Sequence, residues 1–140
     1  MGAASKGGTT ALRAVCDYAE PPAAKGLVFM DTPGFDPVSV SGMIAGGANL
    51  LAFTTGRGSV SGFKPLPTLK LASNSEMCRR LRNDMDLDCG PVLSGDATVE
   101  TAGRRIYERV LAVASGRRTQ SEKHGLGETD FVPWHFGPVT

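Results

Sequence analysis

Two short polar loops, each after an apolar run, carry the side chains best suited to chemistry. The first loop, at residues 31–34, begins with Asp31 and Thr32 and follows the apolar run at 27–30. The second loop, at residues 54–59, follows the run at 49–53 and contains Thr54, Thr55, Gly56, Arg57, Gly58 and Ser59. Ligands of open α/β sheets bind at the carboxyl ends of the strands. If the apolar runs are strands, both loops lie where a ligand would bind.

The second loop has the composition of a site for an acidic small molecule. Arg57 can hold a carboxylate through two parallel hydrogen bonds, and the neighbouring glycines let backbone N–H groups approach a ligand. A tight turn in which Arg57 pairs with one of the protein's own carboxylates explains the same residues. The loop matches neither GxxxxGK[ST] nor GxGxxG, so we expect no nucleotide cofactor.

Carboxylates and one cysteine are the other candidate groups. Asp31 closes an apolar run, where it can bind a metal ion, move a proton, or simply accept hydrogen bonds from the turn. Asp84, Asp86 and Asp88 offer oxygen ligands to a hard cation, but the run lacks the glycine and distal glutamate of a calcium loop and is equally typical of a solvated turn. Cys89 is either a reactive thiol or a small buried residue. Metal ligands therefore stay unassigned.

The elements that position the two loops follow from hydrophobic patterning. Apolar residues at helical spacing predict a short helix from Thr9 to Tyr18. The runs at 27–30 and 49–53 predict buried strands, and the segment between them predicts a helix from about Pro37 to Gly46 with Asp36 as its cap. Strand, helix and strand form a βαβ unit with parallel neighbouring strands, so both loops should leave one edge of one sheet.

The second half of the sequence predicts further α/β elements. Residues 68–72 predict a third strand, residues 73–76 the start of a helix, and residues 84–90 a short strand or turn. An apolar face predicts a helix from Ala97 to Ala114. Arg79, Arg80 and Arg82 span one helical turn and favour a solvated or pairing face over a nucleic-acid surface. The tail at 117–140 holds aromatic residues that we expect to dock on the protein.

Composition excludes several classes of protein. The 140 residues fit one modest domain, and a net charge of +1 gives no footprint for nucleic acid or an anionic membrane. No apolar stretch reaches the length of a membrane span. Three separated cysteines and the lack of an apolar segment after Met1 predict a cytoplasmic protein without a secretory signal.

Several motifs in order make the sequence resemble the altronate/galactarate dehydratase family. They are residues 30–39, 45–49 and 53–59, then Lys64-Pro65, residues 70–74 and 84–86, Cys89-Gly90, and the tail at 131–134. The resemblance covers nearly the whole chain, but only the last third of a full-length family member. It implies a C-terminal portion of a catalytic domain over residues 1–140, with 117–140 as a docking tail, that lacks the N-terminal region.

The resemblance implies a lyase that removes water from altronate or galactarate to give a 2-keto-3-deoxy acid. It also implies a Rossmann-like parallel sheet, a divalent metal (Fe²⁺, with Mn²⁺ or Mg²⁺ as alternatives), a missing N-terminal segment or subunit as partner, and a homo-oligomer. A related branch cleaves sulfite from sulfolactate. The competing hypothesis is a non-catalytic subunit that completes another chain's sheet.

Dehydration next to a carboxylate needs an anchor for the acid, a base for the α-proton, and an acid or metal that helps hydroxide leave. We therefore expect Asp31 and Arg57 to be catalytic residues. The expected substrate-binding residues are Thr32, Thr54, Thr55, Gly56, Gly58 and Ser59.

Overall fold

Parallel strands and flanking helices give the chain the α/β architecture that the sequence predicts. A computed structural model describes residues 6–135. The strands form a two-stranded sheet, β1-β2, and a three-stranded sheet, β3-β4-β5. The chain divides into two units, the first comprising residues 1–48 and 132–140 and the second residues 49–131. Among residues 6–135, no helix is long and apolar enough to cross a bilayer.

The first unit begins with a strand where the sequence predicted a helix. Strand β1 (Leu12–Cys16) pairs in parallel with β2 (Leu27–Met30). The helix prediction over 9–18 was wrong because Ala14 and Cys16 also fit the two-residue period of a strand that turns them inward. A segment this short satisfies both periods, and the parallel partner decides between them.

Helix α1 (Asp36–Ala45) follows β2 and lies against the segment after β1. Phe35 is its N-cap and forms no side-chain cap bond, so the prediction that Asp36 caps the helix was wrong. Asp36 instead occupies the first turn, where a negative charge favours the helix dipole. The Tyr18 hydroxyl donates to the Val38 carbonyl at 2.8 Å, and Gly42 is so close to the Tyr18 ring that a Cβ there would clash.

Residues 132–135 of the predicted tail pack within the first unit, whereas residues 117–131 belong to the second. The Val132 N–H donates to Ser41 Oγ at 2.7 Å, and the Trp134 and Tyr18 rings meet edge to face with centroids 5.2 Å apart. Phe136, one of the tail aromatics, lies outside the described residues.

The second unit is built on the sheet with strand order β3-β4-β5, whose strands are β3 (Leu51–Thr55), β4 (Thr68–Ala72) and β5 (Leu87–Asp88). All neighbours are parallel, and every residue of the central strand β4 is buried. The predicted pairing of the runs at 27–30 and 49–53 in one βαβ unit was wrong, because β2 pairs with β1 and β3 pairs with β4. Apolar patterning identifies a strand but not its neighbour, and the sequence predicts a helix at the segment that is the true partner of β2.

Four further helices belong to the second unit: α2 (Ser75–Arg80), α3 (Pro91–Ser94), α4 (Val99–Ala114) and α5 (Gln120–Lys123). Helix α4 confirms its prediction, and Thr98 caps it by accepting a hydrogen bond from the Thr101 N–H at 3.2 Å. Its Val113 packs with Leu69, Leu71 and Leu87 in one hydrophobic cluster. Ala72, Met77 and Met85 form a second cluster beside α2.

Candidate functional site

The loop after β3 is held at the carboxyl edge of its sheet by the segment after β4. Within the loop, the Gly58 N–H donates to Thr55 Oγ1 at 3.1 Å. From the next strand, the Ser73 N–H donates to the Thr55 carbonyl at 2.9 Å, and Asn74 Nδ2 donates to the Gly56 carbonyl at 2.7 Å. The backbone on both sides of Arg57 is therefore fixed by hydrogen bonds.

Asn74 joins this loop to helix α2. Its Oδ1 accepts a hydrogen bond from the Met77 N–H at 2.8 Å, which makes it the N-cap of the helix. Its Nδ2 is free to bond Gly56 because an amide side chain has both donor and acceptor atoms. One side chain thus orients the start of α2 and the Arg57 loop together.

Two glycines permit this close packing. Gly58 has φ +101°, and a Cβ there would contact Leu81 Cδ1, with Met77 Sδ 3.7 Å away. Gly90 follows β5, and a Cβ there would press on the Ser75 backbone nitrogen and come within 2.7 Å of the Asn74 carbonyl carbon. Because those atoms belong to the backbone at the start of α2, a side chain at position 90 would displace the helix.

A cavity of about 310 Å³ opens between the loop and α2. Its lining residues are Gly56, Arg57, Asn74, Glu76, Met77, Arg80 and Leu81. Within residues 6–135, the Arg57 and Arg80 guanidinium groups have neither an ion-pair partner nor a side-chain hydrogen bond. With Glu76 the charged lining sums to one net positive charge, which suits an anionic ligand.

The predicted loop residues divide between this cavity and the loop's own hydrogen bonds. Gly56 and Arg57 line the cavity. The Thr55 hydroxyl accepts from Gly58, and the Ser59 hydroxyl accepts from the Ser61 N–H at 3.2 Å. Thr54 is exposed. The alternative in which Arg57 pairs with a carboxylate of the protein does not occur among residues 6–135.

Asp31 and Thr32 belong to the first unit, after β2. The Asp31 N–H donates to the Cys16 carbonyl at 2.9 Å, and its carboxylate is exposed. The hydroxyls of Thr32 and Ser39 are 2.8 Å apart and share a hydrogen bond. Because β2 and β3 belong to different sheets, the strand pairing that placed Asp31 and Arg57 at one edge no longer supports a joint role.

The acidic run near β5 binds backbone groups. Asp86 accepts from the Lys70 N–H and from the Gln120 N–H, both at 2.8 Å, and Asp88 accepts from the Gly90 N–H at 2.8 Å. Among residues 6–135, no three His, Cys, Asp or Glu side chains are grouped so that they could hold a metal ion. The described residues therefore do not fit a metal centre by themselves.

A buried lysine stands out in the middle of the same sheet. Lys70 on β4 is fully buried, and its Nζ has no hydrogen-bond partner within the part of the chain that the structure describes. Burial lowers the pKa of the Lys70 ammonium, while Asp84, Asp86 and Asp130 oppose the shift. The arrangement disfavours a charged amine at this position unless a carboxylate approaches it.

All three cysteines are free thiols. Cys16 is buried, and Cys78 and Cys89 are half-buried. Burial raises the pKa of the Cys89 thiol, against the opposing effect of Arg105. Burial also raises the pKa of the Cys78 thiol, helped by Asp88. Both thiols are protonated at neutral pH, which disfavours their use as nucleophiles.

Sequence reasoning missed two residues of the cavity, Asn74 and Arg80. Asn74 was recognised only as part of a helix start, and Arg80 only as part of a basic helical turn. The N-cap asparagine was the signal that could have revealed them. Asn74 lies just after β4, so the helix that it caps begins near the end of that strand.

Ligands of α/β folds bind at the carboxyl ends of parallel strands, and arginine donors in a cavity there suit a carboxylate. Comparison with known proteins gives the family. The family model described as "D-galactarate/Altronate dehydratase, C-terminal" matches residues 1–139. The chain therefore belongs to this family, as the resemblance in its motifs predicted.

Curated relatives extend this result. The galactarate dehydratase (L-threo-forming) of Escherichia coli (strain K12) is 33% identical over all of this chain and 27% of its own length. The beta subunit of (2R)-sulfolactate sulfo-lyase from Chromohalobacter salexigens is 36% identical over 84% of this chain and 30% of its own length. The altronate dehydratase of Bacillus subtilis is 31% identical over 91% of this chain and 26% of its own length. The chain thus spans less than a third of the length of these relatives.

Proposed function

We propose that this chain is the C-terminal portion of a lyase that dehydrates a sugar acid, and that the cavity beside Arg57 binds the acid's carboxylate. The observation that carries the proposal is that two guanidinium groups, those of Arg57 and Arg80, line one cavity and form no ion pair within residues 6–135. Arg57 lies in a loop fixed by Thr55 and Asn74, so its backbone is ordered before a ligand binds.

The proposed chemistry uses the bound carboxylate as the activating group. A base removes the proton on the carbon next to the carboxylate, and negative charge spreads onto the carboxylate oxygens. The neighbouring C–O bond then breaks, hydroxide leaves as water with a proton, and the resulting enol becomes the 2-keto-3-deoxy acid. Arginine donors on those oxygens stabilise the charge as it develops. Asp31 is a separate proposal for proton transfer or as a metal ligand: the strand pairing does not connect it with the Arg57 cavity, and a metal ion would need ligands besides the described residues.

Sugar acids are the proposed substrates because relatives named galactarate dehydratase and altronate dehydratase match the chain. A relative named as a sulfolactate sulfo-lyase subunit supports the alternative that a sulfonated acid is cleaved instead. Both substrate classes carry a carboxylate, so the role of Arg57 is the same in each. The competing hypothesis is a subunit without a catalytic role.

The test is reconstitution of activity. The chain is co-expressed with the region of the Escherichia coli galactarate dehydratase that precedes the matching segment, and keto-acid formation is measured from galactarate, altronate and sulfolactate with and without Fe²⁺. We expect a keto-acid product from galactarate or altronate. A folded complex that converts none of the three acids would contradict the proposal and favour the non-catalytic subunit.

Arg57→Ala separates binding from folding in the same assay. Loss of a charge-assisted bidentate contact should weaken substrate use by about 10- to 100-fold, with little change in the thermal melting of the chain because Arg57 is exposed. Arg104→Ala, which removes an exposed ion pair with Glu108 on α4, is the matched control and should leave activity unchanged. Equal loss of folding in Arg57→Ala would instead support a structural role.

A further inference from the structure

One face of the β1-β2 sheet is apolar and open. Four of its side chains are well exposed: Leu12 (54%), Val15 (63%), Leu27 (37%) and Phe29 (57%). Val15 and Phe29 lie opposite each other in the parallel register. We call the surface formed by these four side chains the outer sheet face.

The other face of the same two strands is directed towards helix α1. Cys16, Val28 and Met30 line a small cavity there together with Met43 of α1. Cys16 is only 7% exposed, and a Cβ on Gly46 would meet the Met30 methyl at 2.5 Å. Within residues 6–135, the sheet thus has one face covered by a helix and one face without a cover.

This asymmetry is unusual for parallel strands. Parallel sheets occur almost only with both faces covered, and a sheet of two strands has too little buried surface to stand alone. An exposed apolar patch of this kind marks an interaction surface, and contact with another polypeptide is one of its common uses. The outer sheet face also borders a cavity of about 490 Å³, which offers room for apolar side chains; its lining residues are Gly7, Gly8, Thr10, Leu12, Leu27, Val28 and Phe29.

The relatives indicate which polypeptide this is. The chain spans 26–30% of the length of its curated relatives, and the matching family model is the C-terminal one. In the relatives, therefore, a long region precedes the part that matches this chain. Strand β1 is the first element of the described residues, so along the chain this sheet is the element nearest to the region that precedes the matching part in the relatives.

We propose that the outer sheet face is the docking surface for the region that precedes this segment in the dehydratases. An apolar segment of that region packs on Val15 and Phe29 and extends into the cavity beside Leu12 and Leu27. The inference rests on the family membership and on the proposed role as a C-terminal portion, but not on any particular substrate.

Binding to the preceding region of the Escherichia coli galactarate dehydratase tests this proposal. The affinity of the full chain for that region is measured by titration calorimetry, and the complex is sized by chromatography. We expect a one-to-one complex. Phe29→Asp and Val15→Asp should each weaken it at least about 10-fold, since a buried charge replaces a central apolar contact. Leu111→Asp, at an exposed apolar position on α4, is the matched control and should leave binding unchanged.

Phe29 and Val15 are both exposed, so neither substitution should prevent folding. Far-UV circular dichroism verifies that each variant folds. Tight binding retained by folded Phe29→Asp and Val15→Asp would overturn the proposal. So would a chain that forms a homodimer through this face, seen as a dimer that the same substitutions convert to monomer while partner binding persists. Binding that requires Phe29 in a complex without lyase activity would support the docking surface and count against the proposed function, so the two failures are distinguishable.

Discussion

Asn74 gives the sharpest test of how the cavity is built, because the two polar atoms of its side-chain amide form two separate hydrogen bonds. Oδ1 accepts from the Met77 N–H at 2.8 Å and caps α2, and Nδ2 donates to the Gly56 carbonyl at 2.7 Å and holds the Arg57 loop. Asn74→Ala removes both bonds. Asn74→Asp keeps the cap, because a carboxylate accepts the same N–H, but it has no donor for Gly56.

The expected magnitudes follow from the two bonds. Loss of an N-cap costs about 1 kcal/mol, and loss of a single side-chain hydrogen bond costs about 1 kcal/mol. The free energy of unfolding should therefore fall by about 2 kcal/mol in Asn74→Ala and by about 1 kcal/mol in Asn74→Asp. In the reconstituted enzyme, Asn74→Asp should also raise KM, since a negative charge then lines the cavity beside Arg57.

Urea unfolding followed by far-UV circular dichroism measures these differences. Asn83→Ala, at an exposed position whose side chain has no hydrogen bond within residues 6–135, is the control and should change stability by less than about 0.5 kcal/mol. If Asn74→Asp proved as destabilising as Asn74→Ala, the aspartate would not retain the stabilising contribution of the N-cap. If neither variant lost stability, Asn74 would not hold the loop, and the reasoning about the site would be refuted.

Two further stability predictions concern the same sheet. Gly90→Ala should destabilise the chain by about 1–3 kcal/mol, because its Cβ would press on the Ser75 backbone; Gly103→Ala on α4, where a Cβ meets no atom within 4 Å, should be neutral or stabilising by up to about 1 kcal/mol in the same thermal melts. Lys70 has a lowered pKa in the folded state, so between that pKa and its ordinary value the unfolded chain binds more protons and stability rises with pH. Lys70→Met should remove this rise and increase stability at pH 7 by about 1 kcal/mol or more; urea midpoints for both proteins at pH 7 and pH 10 measure the difference, and a less stable variant with the same pH slope would show that the amine is paired.

The elements that are fully buried or long were predictable from the sequence. Residues 68–72 are apolar or small except for Lys70, and they form the central strand with the predicted bounds. Helix α4 has an apolar face over sixteen residues, long enough for its period to exclude a strand. Strand β1 was missed because only Cys16 of its five residues is buried, so patterning gave little information.

The candidate site was only partly predictable because it is assembled from separate segments. Arg57 could be identified from its own loop, but Asn74 and Arg80 reach the same cavity from a helix that follows the next strand. Spacing along the chain does not show which helix turn meets which loop. In the acidic run, residue type was misleading instead. Asp86 has a carboxylate that could bind a cation, but it accepts hydrogen bonds from the backbone N–H groups of Lys70 and Gln120.

Direct binding of an acid to the isolated chain tests most closely whether the arginine cavity recognises a carboxylate. Galactarate is titrated into isotope-labelled protein and backbone amide shifts are followed, with the uncharged polyol galactitol as the matched ligand. We predict saturable shifts at Gly56, Arg57 and Arg80 with galactarate alone, and their disappearance in Arg57→Ala. Equal shifts with galactitol, or shifts confined to residues away from this cavity, would contradict the assignment of the cavity as the acid-binding site.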